Sequence, residues 1–196
     1  MDNLTAEAVL GFLGNAEALK DTLRTAYPSK GRRESAAEHT WRLCLLAAVV
    51  GEQMEAIDTC RLLRMCLVHD LGEAIRGDIP AIAQDSARPK AAEEREDLER
   101  VVAPLPPAVG RDLLGLWDEY ERAETAEARL AKALDRIETL AQHTRGKNPV
   151  DFDYRFNLTY GRDRTDLNAF TRDVRRALDA ETEARLADRH ASEGDI

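Results

Sequence analysis

Aromatic residues, cysteines and long apolar runs are all scarce in this chain of 196 residues. The longest apolar run, Leu43 to Val50, is far too short for a membrane span. Three cysteines, Cys44, Cys60 and Cys66, are an odd number with no close metal-type pair, which argues against a disulfide framework and for a reducing compartment. The opening Met1-Asp2-Asn3 lacks the character of a secretory signal, so a cytoplasmic location is expected. Positive charge is also in deficit. The net charge of -9 argues against a binder of nucleic-acid polymers, which needs a basic face. A small phosphorylated ligand is not excluded, because one ion and one arginine can hold a phosphate locally. No glycine- or proline-rich block, internal repeat or low-complexity segment divides the chain, so one domain over residues 1–196 is expected.

What is present is helical patterning. Long Ala/Leu/Glu/Arg stretches predict an all-α protein. Val9, Leu10, Leu13, Ala16, Leu19 and Leu23 predict a helix over 5–24, ended by Tyr27-Pro28. Ser35 and Glu38 form a capping box at the start of a second helix, which gives Glu38 a structural role. That helix continues through the apolar run 43–50, expected to be buried. A central helix is predicted over 58–74, with Asp58 as N-cap, broken by Gly77 and Pro80. Residues 88–103 read as a charged, solvated helix. A helix over 108–122 carries Trp117 and Tyr120, better explained as core than as pocket lining. Another over about 126–144, capped by Thr125, presents Leu130, Leu134, Ile137 and Ala141. Residues 145–162 read as a loop packed by its aromatics. A last helix over 163–188 is expected to face inward through Phe170, Val174, Ala177, Leu178 and Leu186.

The chemistry-bearing residues lie on these helices. His69 and Asp70 are neighbours at the end of an apolar stretch, about 100° apart on a helix, with Glu73 on the next row. A buried carboxylate is expensive unless something positive meets it. A divalent cation does that, and so does a structural hydrogen-bonded pairing. His39, one turn into the second helix, is either satisfied by a core neighbour or a third ligand. Asp135 is either a salt-bridged helix residue, with Lys132 three before it, or a fourth ligand. Arg24, Arg32 and Arg33 cluster around a loop, where a solvated surface is the simple explanation.

The order His39, then His69-Asp70, then Asp135 resembles the HD-domain metal-dependent phosphohydrolases. Within them, the chain is most similar to the 5′-deoxynucleotidases. The resemblance rests on Ser35-Ala-Ala-Glu38-His39, on His69-Asp70-Leu-Gly-Glu73-Ala-Ile-Arg-Gly77-Asp78-Ile79-Pro80, on Leu116-Trp117-Asp-Glu-Tyr120 and on Lys132-Ala-Leu-Asp135. It runs from about residue 5 to about 160. It implies a compact HD-domain helical bundle, with a core over about 5–160 and the last helix added to it. It implies one divalent ion (Mn, Co, Fe, Zn or Mg) held by His39, His69, Asp70 and Asp135. It implies Arg24 as the phosphate-orienting arginine, and Asp78, Ile79, Pro80 and Ala81 facing the sugar. A homodimer is the expected assembly.

The expected reaction is hydrolysis of a deoxynucleoside 5′-monophosphate to deoxynucleoside and phosphate. The ion supplies hydroxide near neutral pH. Glu73 steers the water or moves its proton, and Arg24 neutralises phosphate charge. Alternatives on the same fold are hydrolysis of a dNTP, an alarmone or a pathway-specific nucleotide phosphate, or a non-catalytic nucleotide-binding module. Relatives with two metals carry extra histidines between the central pair and the last Asp. None lies between Asp70 and Asp135 here, so one ion is favoured.

Overall fold

The computed structural model describes residues 3–78 and 90–194. Ten helices are found among them: α1 (Ala6–Glu17), α2 (Ala36–Gly51), α3 (Thr59–Val68), α4 (Glu73–Arg76), α5 (Lys90–Val102), α6 (Pro107–Arg122), α7 (Ala126–Arg145), α8 (Arg155–Thr159), α9 (Arg162–Thr165) and α10 (Ala169–Gly194). No strand occurs among the described residues, so the all-α expectation holds. No helix among them is long and apolar enough to cross a membrane. The chain forms two compact units, residues 1–25 with 34–131, and 26–33 with 132–196.

In the first unit, α2 packs on α3, α3 on α6, α6 on α5 and α5 on α4. Leu19, Ala36, Val68, Leu71, Leu98, Val101, Val102, Leu116 and Trp117 form one buried cluster. The capping box is present at α2: Ser35 Oγ accepts from the Glu38 N–H, and the Glu38 carboxylate accepts from the Ser35 N–H at 2.9 Å. Asp58 caps α3 by accepting from the Arg61 N–H. Thr125 accepts from the Ala128 N–H, as expected of a cap.

Several boundaries and faces differ from expectation. The first helix ends at Glu17, followed by a turn of 3₁₀ helix at Ala18–Lys20. The chain then leaves helical geometry because its polar backbone finds other partners: Leu23 bridges Ser35, Arg24 N–H donates to the Glu34 carbonyl, and Ala36 N–H donates to the Thr22 carbonyl. Leu10, Leu13 and Leu23 are exposed, while Phe12, Ala16 and Leu19 meet the core. The run 43–50 is buried only in part. Leu43, Ala47 and Val50 are inside, and Leu45 and Val49 are outside, because a helix with one packed side turns half of any continuous run to solvent.

The predicted central helix is two helices. α3 stops at Val68, four residues of turn follow, and α4 is a separate short segment. The charged helix α5 is not simply solvated: Asp97, Leu98, Val101 and Val102 are buried.

In the second unit, Gly146 lies against the Tyr27 carbonyl so closely that a Cβ would stand 2.1 Å from that oxygen. Gln142 also donates to the same carbonyl. The segment 145–162 includes α8, and its aromatics pack as expected: Phe152 sits edge-on to His143 and Tyr154. α10 begins later than predicted and buries a largely polar seam of Thr171, Arg175, Leu178 and Thr182. Phe170 and Ala177 are exposed. Arg175 explains the choice. Its guanidinium donates to the carbonyls of Asn157 and Tyr160 and to Asp179, so it is buried with its donors satisfied.

Glu119 on α6 ties three parts of the first unit together. It accepts two hydrogen bonds from Arg61 on α3 and one from Thr125 Oγ1 at 2.7 Å. The Arg61 hydrogen bonds hold its carboxyl below the usual range. A carboxyl depressed in the folded state adds stability above its unfolded pKa, and loses it as pH falls through the folded value. Glu119→Gln is therefore expected to lower stability by about 1 kcal/mol at pH 7, since Arg61 is nearly half exposed and water replaces part of the loss. The gap should close below about pH 4.5, the ordinary value. Urea unfolding at pH 7 and pH 3 tests this, and a gap of equal size at both would exclude the carboxylate as its source.

Candidate metal centre

The first unit gathers its chemistry around one carboxylate. His39 is the fourth residue of α2, and its N–H donates to the Ser35 carbonyl in the first turn. Its side chain is 0% exposed. The capping box and the Leu23–Ser35 bridge together set where α2 begins. They bring Arg24 alongside that start, with its backbone N–H on the Glu34 carbonyl at 2.9 Å.

His69 and Asp70 come from the other side, at the end of α3. The His69 N–H closes that helix on the Met65 carbonyl. Its carbonyl accepts from the Trp117 indole at 3.1 Å, and its ring meets the edge of Tyr120 at 5.3 Å between centroids. Trp117 thus packs in the core and holds the site at once. His69 Nδ1 lies 2.8 Å from the Cys66 carbonyl. A carbonyl only accepts, so Nδ1 carries the proton and Nε2 of the neutral ring is a bare lone pair.

That lone pair points to the centre. His69 Nε2 is 3.1 Å from Asp70 Oδ2, and His39 Nε2 is 3.8 Å from the same oxygen. The donor atoms of the three residues all lie within 4.8 Å of one another. Arg24 adds a guanidinium nitrogen 3.3 Å from Asp70 Oδ2, and its Nε is 3.8 Å from the buried Glu34 carboxylate. Burial pushes the Asp70 carboxyl up. The positive charge and Nε2–H of a protonated His69 oppose this, His39 and Arg24 add to the opposition, and the net result lies well below the usual range; a neutral His69 leaves that place for another cation. An ionised carboxylate facing a bare imidazole nitrogen is a donor pair that a cation relieves. Two imidazoles and a carboxylate fit a first-row divalent ion. Cys44 is a poor donor by contrast, because burial pushes its thiol up to about 11.

The other predicted site residues have separate settings. Glu73 opens α4, buried, with its N–H on the Asp70 carbonyl at 2.9 Å and its own carbonyl accepting from Thr22 Oγ1 at 3.3 Å. Gly77 then takes a φ of +85°, the region that favours glycine, and turns the chain toward a half-buried Asp78. Ile79, Pro80 and Ala81 lie outside the described residues. Asp135 belongs to the second unit, where it is buried on α7 and accepts from Arg136 at 3.0 Å. Two residues were missed from sequence. Glu34, buried beside Arg24, directly precedes a capping box that already has its glutamate, and that redundancy was the available signal. Thr22 carried no signal, since only the fold brings its hydroxyl to α4.

Comparison with known proteins shows what the chain as a whole is similar to. A family model described as the HD domain matches residues 16–175. The human protein 5′-deoxynucleotidase HDDC2 is 34% identical over 139 residues, covering 70% of this chain and 67% of that protein. The Dictyostelium discoideum protein of the same name is 30% identical, covering 68% and 74%. Among solved structures, one from Magnetospirillum magnetotacticum, described as a predicted metal-dependent phosphohydrolase, has a TM-score of 0.73 at 29% identity. It covers 91% of this chain and 95% of that one. The PH0347 protein of Pyrococcus horikoshii, at 22% identity and a TM-score of 0.70, shares the fold.

The tautomer of His69 is directly measurable. Long-range proton–nitrogen NMR of metal-free protein, at a pH where the ring is neutral, is expected to show a protonated Nδ1 and a bare Nε2. A proton on Nε2 would remove His69 as an inward-facing donor.

Proposed function

Because the chain belongs to the HD-domain family, we propose that it is a metal-dependent 5′-deoxynucleotidase, converting a deoxynucleoside 5′-monophosphate to deoxynucleoside and phosphate. The observation that carries this is the convergence of His39, His69 and Asp70 with the Arg24 guanidinium on the same carboxylate oxygen. His39, His69 and Asp70 hold one divalent ion, and Asp135 is the fourth ligand by its place in the family's ligand order. When bound, such an ion lowers the pKa of water and draws charge from a phosphoryl oxygen. Manganese, cobalt, iron, zinc and magnesium are the candidates, and the donor set suits the transition metals better than magnesium.

The protein's own groups do the rest. Arg24 binds phosphate oxygens with a fork of donors and offsets their charge. It is partly buried and already oriented by Asp70 and Glu34, so little side-chain freedom is lost on binding. Glu73 orients the attacking water and accepts its proton as the oxygen–phosphorus bond forms. As that bond forms, the bond from phosphorus to the 5′-oxygen breaks, and Glu73 returns the proton to the leaving oxygen, which departs as an alcohol. Asp78 accepts a hydrogen bond from a deoxyribose hydroxyl, with Ile79, Pro80 and Ala81 completing the sugar side. The acidic chain suits a mononucleotide better than a polymer. We assign the working form to a cytoplasmic homodimer. Cys44, Cys60 and Cys66, none of them joined in a disulfide, suit a reducing compartment. Trp41, Leu45 and Val49, exposed at four-residue spacing on α2, form an apolar strip suited to a second copy.

Three measurements test the proposal. A panel of nucleotides and sugar phosphates against several divalent ions should give turnover on deoxynucleoside monophosphates. Turnover confined to triphosphates or alarmones would replace the substrate assignment, and no turnover at all would leave a binding module. Glu73→Ala should retain metal and substrate binding while turnover falls roughly 10²–10⁴-fold, whereas Asp78→Ala should weaken binding by about 1–3 kcal/mol. His39→Ala, His69→Ala, Asp70→Asn and Asp135→Asn should each lower bound metal by elemental analysis. A variant of the four that keeps full metal is not a ligand. Separately, light scattering should give twice 21.9 kDa, and Leu45→Lys should halve it.

A further inference from the structure

The helix that carries Glu73 cannot hold its own position. α4 has four residues, too few to be stable alone. Both its ends are fastened to α5. At the entry, Gly72 lies on the α5 backbone, where a Cβ would stand 2.5 Å from the Glu94 carbonyl oxygen. At the exit, Arg76 Nε reaches the Asp97 carboxylate at 3.4 Å, and its terminal nitrogens face Glu96 at 3.6 Å and Glu93 at 3.9 Å. Asp97 is 2% exposed, and its other oxygen is held by Arg100 at 3.2 Å.

A buried carboxylate is a poor way to stabilise a helix packing surface. An apolar residue of similar volume does as well or better. What an ion pair adds is geometry: a cation with a forked donor set fixes where it sits relative to its carboxylate. Arg76 is one turn after Glu73 on the same short helix, so fixing Arg76 fixes the turn from which Glu73 projects. We propose that Arg76 and Asp97 are a positioning pair for the reaction, holding α4 so that the Glu73 carboxylate stays within proton-transfer distance of the attacking water. The pair touches no substrate, and the proposal rests on the role given to Glu73 above. Small displacements of a proton-transfer group are costly in rate, which is why a remote latch registers in kcat.

Kinetics on a deoxynucleoside 5′-monophosphate with manganese test this. Arg76→Gln, at a partly exposed position that tolerates change, and Asp97→Asn should each lower kcat about tenfold, with KM and bound metal unchanged. The double variant should be no slower than either single one. Arg76→Lys, which keeps the charge without the fork, should recover part of the loss. In a Glu73→Ala background, neither substitution should slow turnover further, because the group they position is gone. A merely structural role predicts the opposite: multiplicative losses in that background, with KM and metal content changing too. That result overturns the proposal, as does wild-type kcat in Arg76→Gln while Glu73→Ala is slow. Wild-type turnover in Glu73→Ala itself overturns the role of Glu73, and the latch with it.

Discussion

One partly buried carboxylate makes demands that the first unit is built to meet. Asp70 sits where water has little access, so its charge must be answered by neighbours. Arg24 answers it from the segment before α2, and His39 on α2 and His69 at the end of α3 turn ring nitrogens to the same oxygen. Each of these has its own support. Trp117 and Tyr120 hold His69, the Cys66 carbonyl sets its tautomer, and the Ser35–Glu38 capping box sets the turn on which His39 rides. Pre-organised donors of this kind bind a cation or phosphate without first having to be ordered.

The same economy appears in the short connection after Asp70. The regular α-helical hydrogen-bond pattern ends at Val68, and its loss is made good by tight turns and by Thr22. Glu73 therefore depends on neighbours in sequence and on α5 for its placement. α5 looks like a surface helix by composition, yet it provides the floor on which α4 stands. Part of its charge is used to hold α4: Asp97 lies inward, and Glu93 and Glu96 face Arg76.

Local signals were legible wherever one residue type had one strong reason to be where it is. The caps at Ser35 and Asp58 were found because a side-chain acceptor before a helical run has little else to do. The His69-Asp70 pair and Glu73 were found because acidic groups in an apolar stretch need an explanation. The errors have a common form. Leu10, Leu13, Leu45 and Val49 are apolar and exposed, while Thr171, Arg175 and Thr182 are polar and buried. Hydrophobic spacing cannot distinguish these cases, because burial of a polar group depends on partners from distant positions, such as the Asn157 and Tyr160 carbonyls that receive Arg175.

The sequence by itself determined the all-α class, the helix starts marked by capping side chains, and the identity of the candidate donors, because these follow from short-range geometry and from the cost of burying charge. The tertiary structure alone decided that the helix bearing His69 stops at Val68, that Glu34 lies beside Arg24 and that Thr22 and Asp97 grip α4. Those facts rest on contacts between residues tens of positions apart, such as the 3.3 Å approach of Thr22 to the Glu73 carbonyl. No local periodicity encodes such a contact, since it exists only once the helices have packed.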